Sequence, residues 1–327
     1  MRRVMVIANN LQQASYRLRV EALRPLLAER GFDLDVKVRP RAWLARRAML
    51  KLGANYDAVL LQRKFLDPSD ARLLRRRARR IFYDIDDAVM HHAHPVGRLS
   101  RWRTGRRFEA TARIVDHVVA GNAYLAEMFR QRGRPVTVVP TTVDPAHYRP
   151  KRHEGHTGPP ALVWIGSSST LPYLEQLLPA IEAAGERVPG LRLITVADRT
   201  VTSNIVAVEH VPWSVEAEAD ALVRGDIGIA PTPDNCWTRG KCGFKIIQYM
   251  AAGLPVIASP VGANAEIVLP NDTGLHARDA GEWVESIARL AGDATLRRDW
   301  GRAGRERVER EYSLTRAADA WATLLAG

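Results

Sequence analysis

The chain has 327 residues, of which 46% are hydrophobic, so it is long and apolar enough to build two medium-sized cores. Its 48 Lys and Arg residues outnumber its 36 Asp and Glu residues, giving a formal net charge of +12. Only two cysteines are present, which excludes a disulfide framework or a cysteine zinc site and indicates a reducing compartment. Glycine and proline interrupt the longest apolar stretch, so we expect no membrane-spanning helix.

Apolar runs bounded by turn residues alternate with helical patterns along both halves, which predicts an α/β fold with parallel sheets. Residues 145–160 carry four prolines and no apolar period, as expected of a hinge. We therefore divide the chain into a first domain (1–148), a hinge linker (149–160), a second domain (161–312) and a terminal helix (313–327).

Residues 239–262 predict a loop, a short helix and a buried strand in direct succession. Gly243 frees the backbone to approach a ligand, and the helix begins at Phe244. Unpaired N–H groups and the positive end of the helix dipole gather at that point, so the segment predicts an anion site to which Lys241 and Lys245 add charge. The alternative is an ordinary helix-to-strand turn of an α/β domain.

Residues 249–259, Tyr-Met-Ala-Ala-Gly-Leu-Pro-Val-Ile-Ala-Ser, resemble the donor-binding motif of retaining family 4 glycosyltransferases of the GT-B fold. The resemblance implies two Rossmann-like doubly wound domains that face each other across a cleft. The first would bind the acceptor and the second the nucleotide sugar, and the terminal helix would cross back to the first domain. It also implies a nucleotide-diphosphate sugar as co-substrate, with no metal or other cofactor. The family has two glutamates eight positions apart, where this chain has Gly240 and Gln248. Gln248 could hydrogen-bond a ribose hydroxyl, whereas Gly240 offers no side chain.

A second match is the strand and turn ending in Gly166-Ser167-Ser168-Ser169, where the family opens its second domain and main-chain N–H groups could meet the diphosphate. The arginine and lysine that usually follow this turn are missing, so other cations would have to supply the charge. The donor-binding residues implied by the resemblance are Gly166, Ser167, Arg239, Lys241, Gly243, Phe244, Lys245 and Gln248.

The segment Asp84-Ile85-Asp86-Asp87 ends a predicted strand of the first domain. An Asp-X-Asp sequence would indicate manganese in the other major glycosyltransferase fold, but the alternating two-domain pattern argues against that fold. Carboxylates at the carboxyl end of a strand face the expected cleft, so Asp86 or Asp87 could orient an acceptor hydroxyl. The alternative is that they are acidic loop residues paired with arginines.

His91, His92 and His94 follow this segment and could be metal ligands, sugar contacts or solvated loop residues. No further ligand lies nearby in sequence, so we predict no metal. The resemblance implies a first-domain histidine near the transferred sugar. We name His92 as that candidate, and Asp86, Asp87 and Lys245 as the other candidate catalytic residues.

The net positive charge lies entirely in the first half of the chain. Residues 1–150 contain 30 Lys or Arg against 14 Asp or Glu, a net charge of +16, whereas the remainder has 18 against 22. The excess concentrates in residues 39–51, 72–80 and 98–107, and the first of these predicts a basic amphipathic helix on an anionic membrane surface. The alternative is a solvated basic face. Nucleic acid would account for the charge but not for the donor motif, and no groove-reading motif accompanies it, so we predict no nucleic-acid partner.

Two hypotheses follow. The first is a metal-independent glycosyltransferase that moves a hexosyl or related sugar, with retention, to a saccharide or lipid-linked acceptor in cell-envelope polysaccharide or glycolipid synthesis. Such a protein would be cytoplasmic and peripheral at the inner face of the membrane. The second is a catalytically inactive GT-B-like partner protein that binds a nucleotide or glycan, which Gly240 and the missing basic pair after Gly166 motivate.

Overall fold

The computed structural model describes residues 1–91, 96–153 and 158–327. Twelve strands are found in these ranges: β1 (Arg2–Ala8), β2 (Phe32–Val38), β3 (Ala58–Gln62), β4 (Ile81–Ile85), β5 (His117–Ala120), β6 (Val136–Val138), β7 (Ala161–Ile165), β8 (Arg192–Ala197), β9 (Ala207–Pro212), β10 (Ile227–Ala230), β11 (Val256–Ala258) and β12 (Gly274–His276).

Fourteen α-helices lie in the same described ranges: α1 (Ala14–Arg19), α2 (Arg24–Glu29), α3 (Trp43–Lys51), α4 (Pro68–Arg75), α5 (Arg98–Ile114), α6 (Ala123–Arg130), α7 (Leu171–Arg187), α8 (Val215–Arg224), α9 (Cys236–Arg239), α10 (Phe244–Ala251), α11 (Ala263–Ile267), α12 (Ala280–Gly292), α13 (Ala294–Glu311) and α14 (Leu314–Ala326). None of the described helices is long and apolar enough to cross a lipid bilayer.

The chain forms two compact units. Unit 1 contains residues 1–142, 235–242 and 314–327, and unit 2 contains residues 143–234 and 243–313. The sequence alone assigned residues 235–242 to the second domain, whereas their contacts lie in unit 1. There the side-chain amide of Asn122 donates to the carbonyl oxygens of Lys241 (2.9 Å) and Arg239 (3.3 Å).

Unit 1 is built on a parallel six-stranded sheet of order β2-β1-β3-β4-β5-β6. The strands β3 and β4 are buried along their whole length, as expected of a sheet that is covered by helices on both faces. One face packs against α3, α4, α5 and α6, and the other packs against α1, α2 and α14. The strand order reverses between β1 and β3, which is where open α/β sheets form their ligand crevice.

The apolar positions Leu18, Leu23, Leu26 and Leu27 predict a single helix over residues 15–30, but the structure has two. A 3₁₀ turn over Glu21–Leu23 separates α1 from α2. Pro25 lies in the first turn of α2, and because proline has no N–H to donate, it favours the start of a new helix over the continuation of the old one.

Unit 2 repeats the architecture with a parallel sheet of order β12-β11-β10-β7-β8-β9. Its order reverses between β7 and β10, so this sheet has a ligand crevice of the same kind. The α/β fold with two parallel, doubly wound sheets that the sequence predicted is therefore confirmed.

The described part of the predicted hinge is anchored inside unit 2. The N–H of Lys151 donates to the carbonyl of Ala252 (2.8 Å), and its ammonium lies 3.4 Å from the carboxylate of Asp226. The ring of His153 hydrogen-bonds the carbonyl of Gly253 at 3.0 Å. Lys151 and His153 are thus bonded to the body of unit 2, while residues 154–157 of the predicted hinge lie outside the described ranges.

Candidate functional site

The start of α10 in unit 2 has the backbone that an anion site needs. Gly243 caps the helix with φ of 62°, in the left-handed region that favours glycine. The backbone therefore selects glycine, and a Cβ there would also require the terminal methyl group of Ile267 to move. The N–H of Ile246 donates to the carbonyl of Gly243 (2.9 Å), and the positive end of the dipole of α10 therefore lies at this turn.

Lys245 places its charge beside the end of β7. Its ammonium lies 5.0 Å from the ring centroid of Trp164, a cation–π contact that holds the flexible lysine stem. The same indole lies against Gly166, where a Cβ would collide with the ring. Trp164 therefore connects two residues that the sequence assigned to donor binding, Gly166 and Lys245, at the reversal point of the sheet. No local pattern indicates this role, because Trp164 occurs inside a strand.

The turn after β7 uses its N–H groups internally, which differs from the expectation that they meet a diphosphate. The N–H of Gly166 donates to Val196 O (3.0 Å), that of Ser167 to Thr170 Oγ1 (3.1 Å) and that of Ser168 to Asp198 Oδ1 (2.7 Å). Gly166 and Ser167 thus shape the turn in this structure, and their main-chain donors are already engaged.

Gln248 lies in the core of unit 2 and is only 2% exposed. Its amide nitrogen donates to the hydroxyl of Tyr148 (3.1 Å) and to the carboxylate of Glu218. These partners take both amide donors of Gln248 in this structure, and its ribose contact stays a prediction. Burial raises the pKa of Tyr148 to about 12, so this phenol stays protonated near neutral pH.

Glu218 supplies a carboxylate that sequence analysis missed. One of its oxygens accepts from Gln248 and the other accepts from the indole N–H of Trp213 (2.8 Å). This chain has Gly240 and Gln248 at the two positions where the family has glutamates. The carboxylate beside residue 248 is therefore supplied by Glu218 of α8. Thirty residues separate Glu218 from Gln248, a spacing that no local pattern reveals.

The first part of the donor motif belongs to unit 1. Arg239 ends α9, and the ammonium of Lys241 lies 5.3 Å from the ring centroid of Trp237. At Gly240 a Cβ would lie 2.8 Å from the backbone nitrogen of Ala88 and would collide with its side chain. Position 240 therefore has no room for the side chain of the glutamate that the family pattern has there. The structure places Arg239 and Lys241 in unit 1, and Gly243, Phe244, Lys245 and Gln248 in unit 2.

A polar group lies at the reversal point of the unit 1 sheet and includes both predicted carboxylates. Ser15 Oγ donates to Asp86 Oδ1 (2.9 Å), and Gln62 Nε2 donates to Ser15 Oγ (2.6 Å). Arg63 lies 2.5 Å from Asp87 Oδ2 and 3.9 Å from Asp86 Oδ1. The structure therefore brings Asp86 and Asp87 together with three residues that sequence analysis did not select.

Two features mark this group as more than surface ion pairing. Arg63 has φ of 63°, a left-handed conformation that costs free energy in a residue with a side chain and occurs preferentially at functional sites. Burial raises the pKa of Asp87, and the neighbouring Asp86 adds to that rise, while Arg63 opposes it. A carboxylate with a raised pKa beside a sheet crevice is suited to hold or accept a proton.

Asp84 has a different role from its neighbours. It is fully buried, and its carboxylate receives a fork of hydrogen bonds from Arg19, with Nη2 to Oδ1 at 2.6 Å. Asp84 therefore holds α1 against the sheet and is unavailable as a metal ligand.

His92 lies outside the described residues. His91 approaches the hydroxyl of Tyr124 at 3.3 Å, and the described ranges contain no group of three or more His, Cys, Asp or Glu that could hold a metal.

Residues 160–293 match the family model described as Glycosyl transferases group 1. The glycogen synthase of Mycobacterium tuberculosis is 23% identical over 265 residues, which cover 74% of this chain. That alignment spans 63% of the relative's own length.

Two solved structures superpose over the full length of the chain. Sucrose-phosphate synthase from Thermosynechococcus elongatus has a TM-score of 0.74 at 16% identity, with 100% of this chain and 98% of that chain covered. HepE from Anabaena, in complex with UDP and glucose, has a TM-score of 0.72 at 14% identity, with both chains covered completely. The chain therefore has the GT-B fold, and its residues 160–293 are similar to the glycosyl transferases group 1 family.

Proposed function

We propose that the protein transfers a sugar, with retention, from a nucleotide-diphosphate sugar to a saccharide or lipid-linked acceptor. The observation that carries the proposal is the start of α10, where Gly243 adopts a left-handed turn and Lys245 adds a cation, within the residues that match the family. Backbone donors, a helix dipole and a lysine together stabilise the negative charge that grows on a leaving diphosphate.

The donor assignment draws support from the comparisons. HepE has been solved in complex with UDP-glucose, and its fold is that of this chain. Sugar transfer by this route needs charge neutralisation at the diphosphate, which Lys245 and the dipole of α10 supply without a metal. We therefore assign the nucleotide-diphosphate sugar as co-substrate and no metal cofactor. Gly166 and Ser167 shape the neighbouring turn, and Trp164 fixes the position of Lys245.

On the acceptor side we assign Asp86 and Asp87 of unit 1. The raised pKa of Asp87, caused by burial, suits it to orient an acceptor hydroxyl and to receive its proton as the bond to the sugar forms. Arg63 and Ser15 hold the two carboxylates in place. Their position at the reversal point of the sheet is where an α/β unit binds its ligand.

A membrane-associated acceptor, as in cell-envelope polysaccharide or glycolipid synthesis, fits the surface of unit 1. The first turns of α3 and α5 expose apolar side chains that the core does not use, with Trp43 56% and Trp102 55% exposed. Arg47 lies over the ring of Trp43 and Arg106 over that of Trp102. Aromatic side chains beside arginines are suited to the headgroup region of an anionic bilayer. We propose a cytoplasmic protein that is peripheral at the inner face of the membrane.

Binding of nucleoside diphosphates tests the donor site. We expect Lys245→Ala to weaken the affinity for the preferred one among UDP, GDP and ADP by about tenfold or more, since a charged contact is lost. Lys37→Ala, at the exposed edge of unit 1, is the control and should bind like the unchanged protein. An unchanged affinity in Lys245→Ala, measured by isothermal titration calorimetry, would remove the phosphate assignment.

A second candidate function is a GT-B-like partner protein without transfer activity. It is favoured by the two lost family glutamates, since Gly240 has no room for a side chain and Gln248 is engaged with Glu218. Turnover separates the candidates. The inactive protein would be stabilised by a nucleotide sugar and yet give neither transfer nor hydrolysis with any acceptor extract, whereas the enzyme gives product.

A further inference from the structure

Four charged residues of unit 1 meet at the carboxyl edge of its sheet: Arg39, Lys64, Asp67 and Arg107, here called the Asp67 cluster. Arg39 follows β2 directly, Lys64 lies just beyond β3, Asp67 precedes α4, and Arg107 lies within α5. Lys64 and Asp67 share the loop after β3, and because parallel strands end at the same edge, this loop, the end of β2 and α5 place their charges together although they are distant in sequence.

The Asp67 cluster has more positive than negative charge. The carboxylate of Asp67 lies 2.6 Å from Arg107 Nε and 3.8 Å from Arg39 Nη2. Lys64 is a third cation, close enough to Arg39 and Arg107 for their charges to act on it, so the cluster has three cations and one anion, and two positive charges are in excess. Arg46, which also acts on Arg39, does not alter this balance, because it is paired with Asp70 at 2.5 Å.

The cations lie close enough together to act on one another, and the carboxylates that act on Arg39 are those of Asp67 and Asp70. The pKa of Lys64 is lowered by partial burial and then by the charges of Arg39, Arg107 and Arg63. The Nε of Arg39 is buried, and within the described residues it has no hydrogen-bond partner. A buried donor without a partner is costly, and it commonly marks the place of a bound ion or water.

The cluster adjoins the candidate acceptor carboxylates. Arg63, the residue before Lys64, bonds Asp87 at 2.5 Å, and the left-handed backbone of Arg63 directs the chain from one group to the other. Arg63 contacts the acceptor carboxylates and Lys64, the next residue, belongs to the Asp67 cluster. The two groups therefore lie at neighbouring positions on the carboxyl edge of one sheet.

We propose that Arg39, Lys64 and Arg107 form a binding site for the phosphoryl group of the acceptor. This inference rests on the proposed function, and it names the acceptor as phosphate-bearing. A phosphate dianion would neutralise the two excess charges and accept from the buried Nε of Arg39, while arginine forks and a lysine ammonium are the side chains that phosphate oxygens prefer. A sugar hydroxyl elsewhere on the same acceptor would then lie near Asp86 and Asp87.

Two sources could present this phosphate: a soluble phosphorylated saccharide or a lipid phosphate at a membrane. The first turns of α3 and α5 expose Leu44 and Leu99 beside the two tryptophans already described. Arg39 lies just before α3 and Arg107 lies in α5, so a lipid phosphate and an apolar bilayer contact can be engaged by the same face of unit 1.

Inorganic phosphate is the probe for the site, measured by isothermal titration calorimetry in a Lys245→Ala background that removes the anion site of α10. Lys64→Gln and Arg107→Gln should each weaken phosphate binding by about tenfold. Arg101→Gln, an exposed residue of α5 outside the cluster, should leave it unchanged. Asp67→Asn should tighten binding by roughly fivefold, a gain that a folding defect cannot produce.

Vesicles distinguish the two sources. Phosphatidylcholine vesicles with and without phosphatidic acid are sedimented with the same variants at low salt. Lost binding in Lys64→Gln to both phosphate and phosphatidic acid vesicles identifies a lipid phosphate, and lost binding to phosphate alone identifies a soluble phosphorylated acceptor. The proposal would be overturned if phosphate bound equally well to the protein with an unchanged cluster, to Lys64→Gln and to Asp67→Asn. This outcome is independent of the effect of Lys245→Ala on nucleotide binding, which tests the donor site.

Discussion

The side-chain amide of Gln248 donates to the carboxylate of Glu218 in the core of unit 2. A glutamate at position 248, as in the family pattern, would put two carboxylates against each other in a place that water does not reach. The glutamine therefore fits its own environment, and it pairs with a carboxylate that α8 provides. The departure from the family pattern is compensated within the fold.

This pair predicts the outcome of a charge exchange. Gln248→Glu should destabilise unit 2 by about 1–3 kcal/mol, because a like charge is buried beside Glu218. Adding Glu218→Gln should recover most of that loss, since the amide and the carboxylate have exchanged places. The measurement is urea unfolding of the two single variants and the double variant. Additive losses in the double variant would show that the two side chains do not interact.

Gly240 should tolerate no side chain. A Cβ would lie 2.8 Å from the backbone nitrogen of Ala88, so Gly240→Ala should destabilise the protein by about 1–3 kcal/mol through overpacking. The matched control is Gly105→Ala in α5, where a Cβ meets nothing within 4 Å and alanine is the better helix former. The two variants are compared by their denaturant midpoints, and equal midpoints would contradict the steric account.

The Arg19–Asp84 pair should be worth more to stability than any surface ion pair of unit 1. Both side chains are buried, so Asp84→Asn leaves the Arg19 charge without its counterion and should cost about 3 kcal/mol. Glu21→Gln removes the exposed carboxylate that pairs with Arg24 at 3.2 Å and should cost less than about 1 kcal/mol. Thermal unfolding of the two variants checks the difference, and similar losses would mean that the buried pair has no special role.

The stability of unit 2 should fall as the pH drops from 7 to 5. Burial lowers the pKa of His153, whose ring bonds Gly253 and faces Asp226, Lys151 and Arg297. Below a pH of about 6.5 the unfolded chain takes up a proton that the folded protein refuses, so folding loses free energy, on the order of 1 kcal/mol.

The control for this pH effect is His153→Gln, which can still donate to the carbonyl of Gly253 but does not titrate. Its melting temperature should change less between pH 7 and pH 5 than that of the unchanged protein. Some slope should remain, because burial also lowers the pKa of His276 in unit 2. Identical slopes in the two proteins would exclude His153 as a cause.

The sequence by itself determined the alternation of buried strands and helices in two sheets and the turn at Gly243, because these depend on residues that are close together in the chain. Hydrophobic runs of strand length predict the sheets, and a glycine before an apolar helix predicts a backbone that can approach a ligand. The candidate carboxylates Asp86 and Asp87 were found in the same way, from their place after a strand.

Only the tertiary structure decided which partners these residues meet. Glu218 beside Gln248, Ala88 against Gly240, and Lys64 among Arg39 and Arg107 are contacts between segments tens of residues apart. The excess of arginine was visible in the sequence, but the place where it gathers around Asp67 was not. Charge and steric fit act through space, so the chemistry of the site was set when the strands of each sheet brought their ends to a common edge.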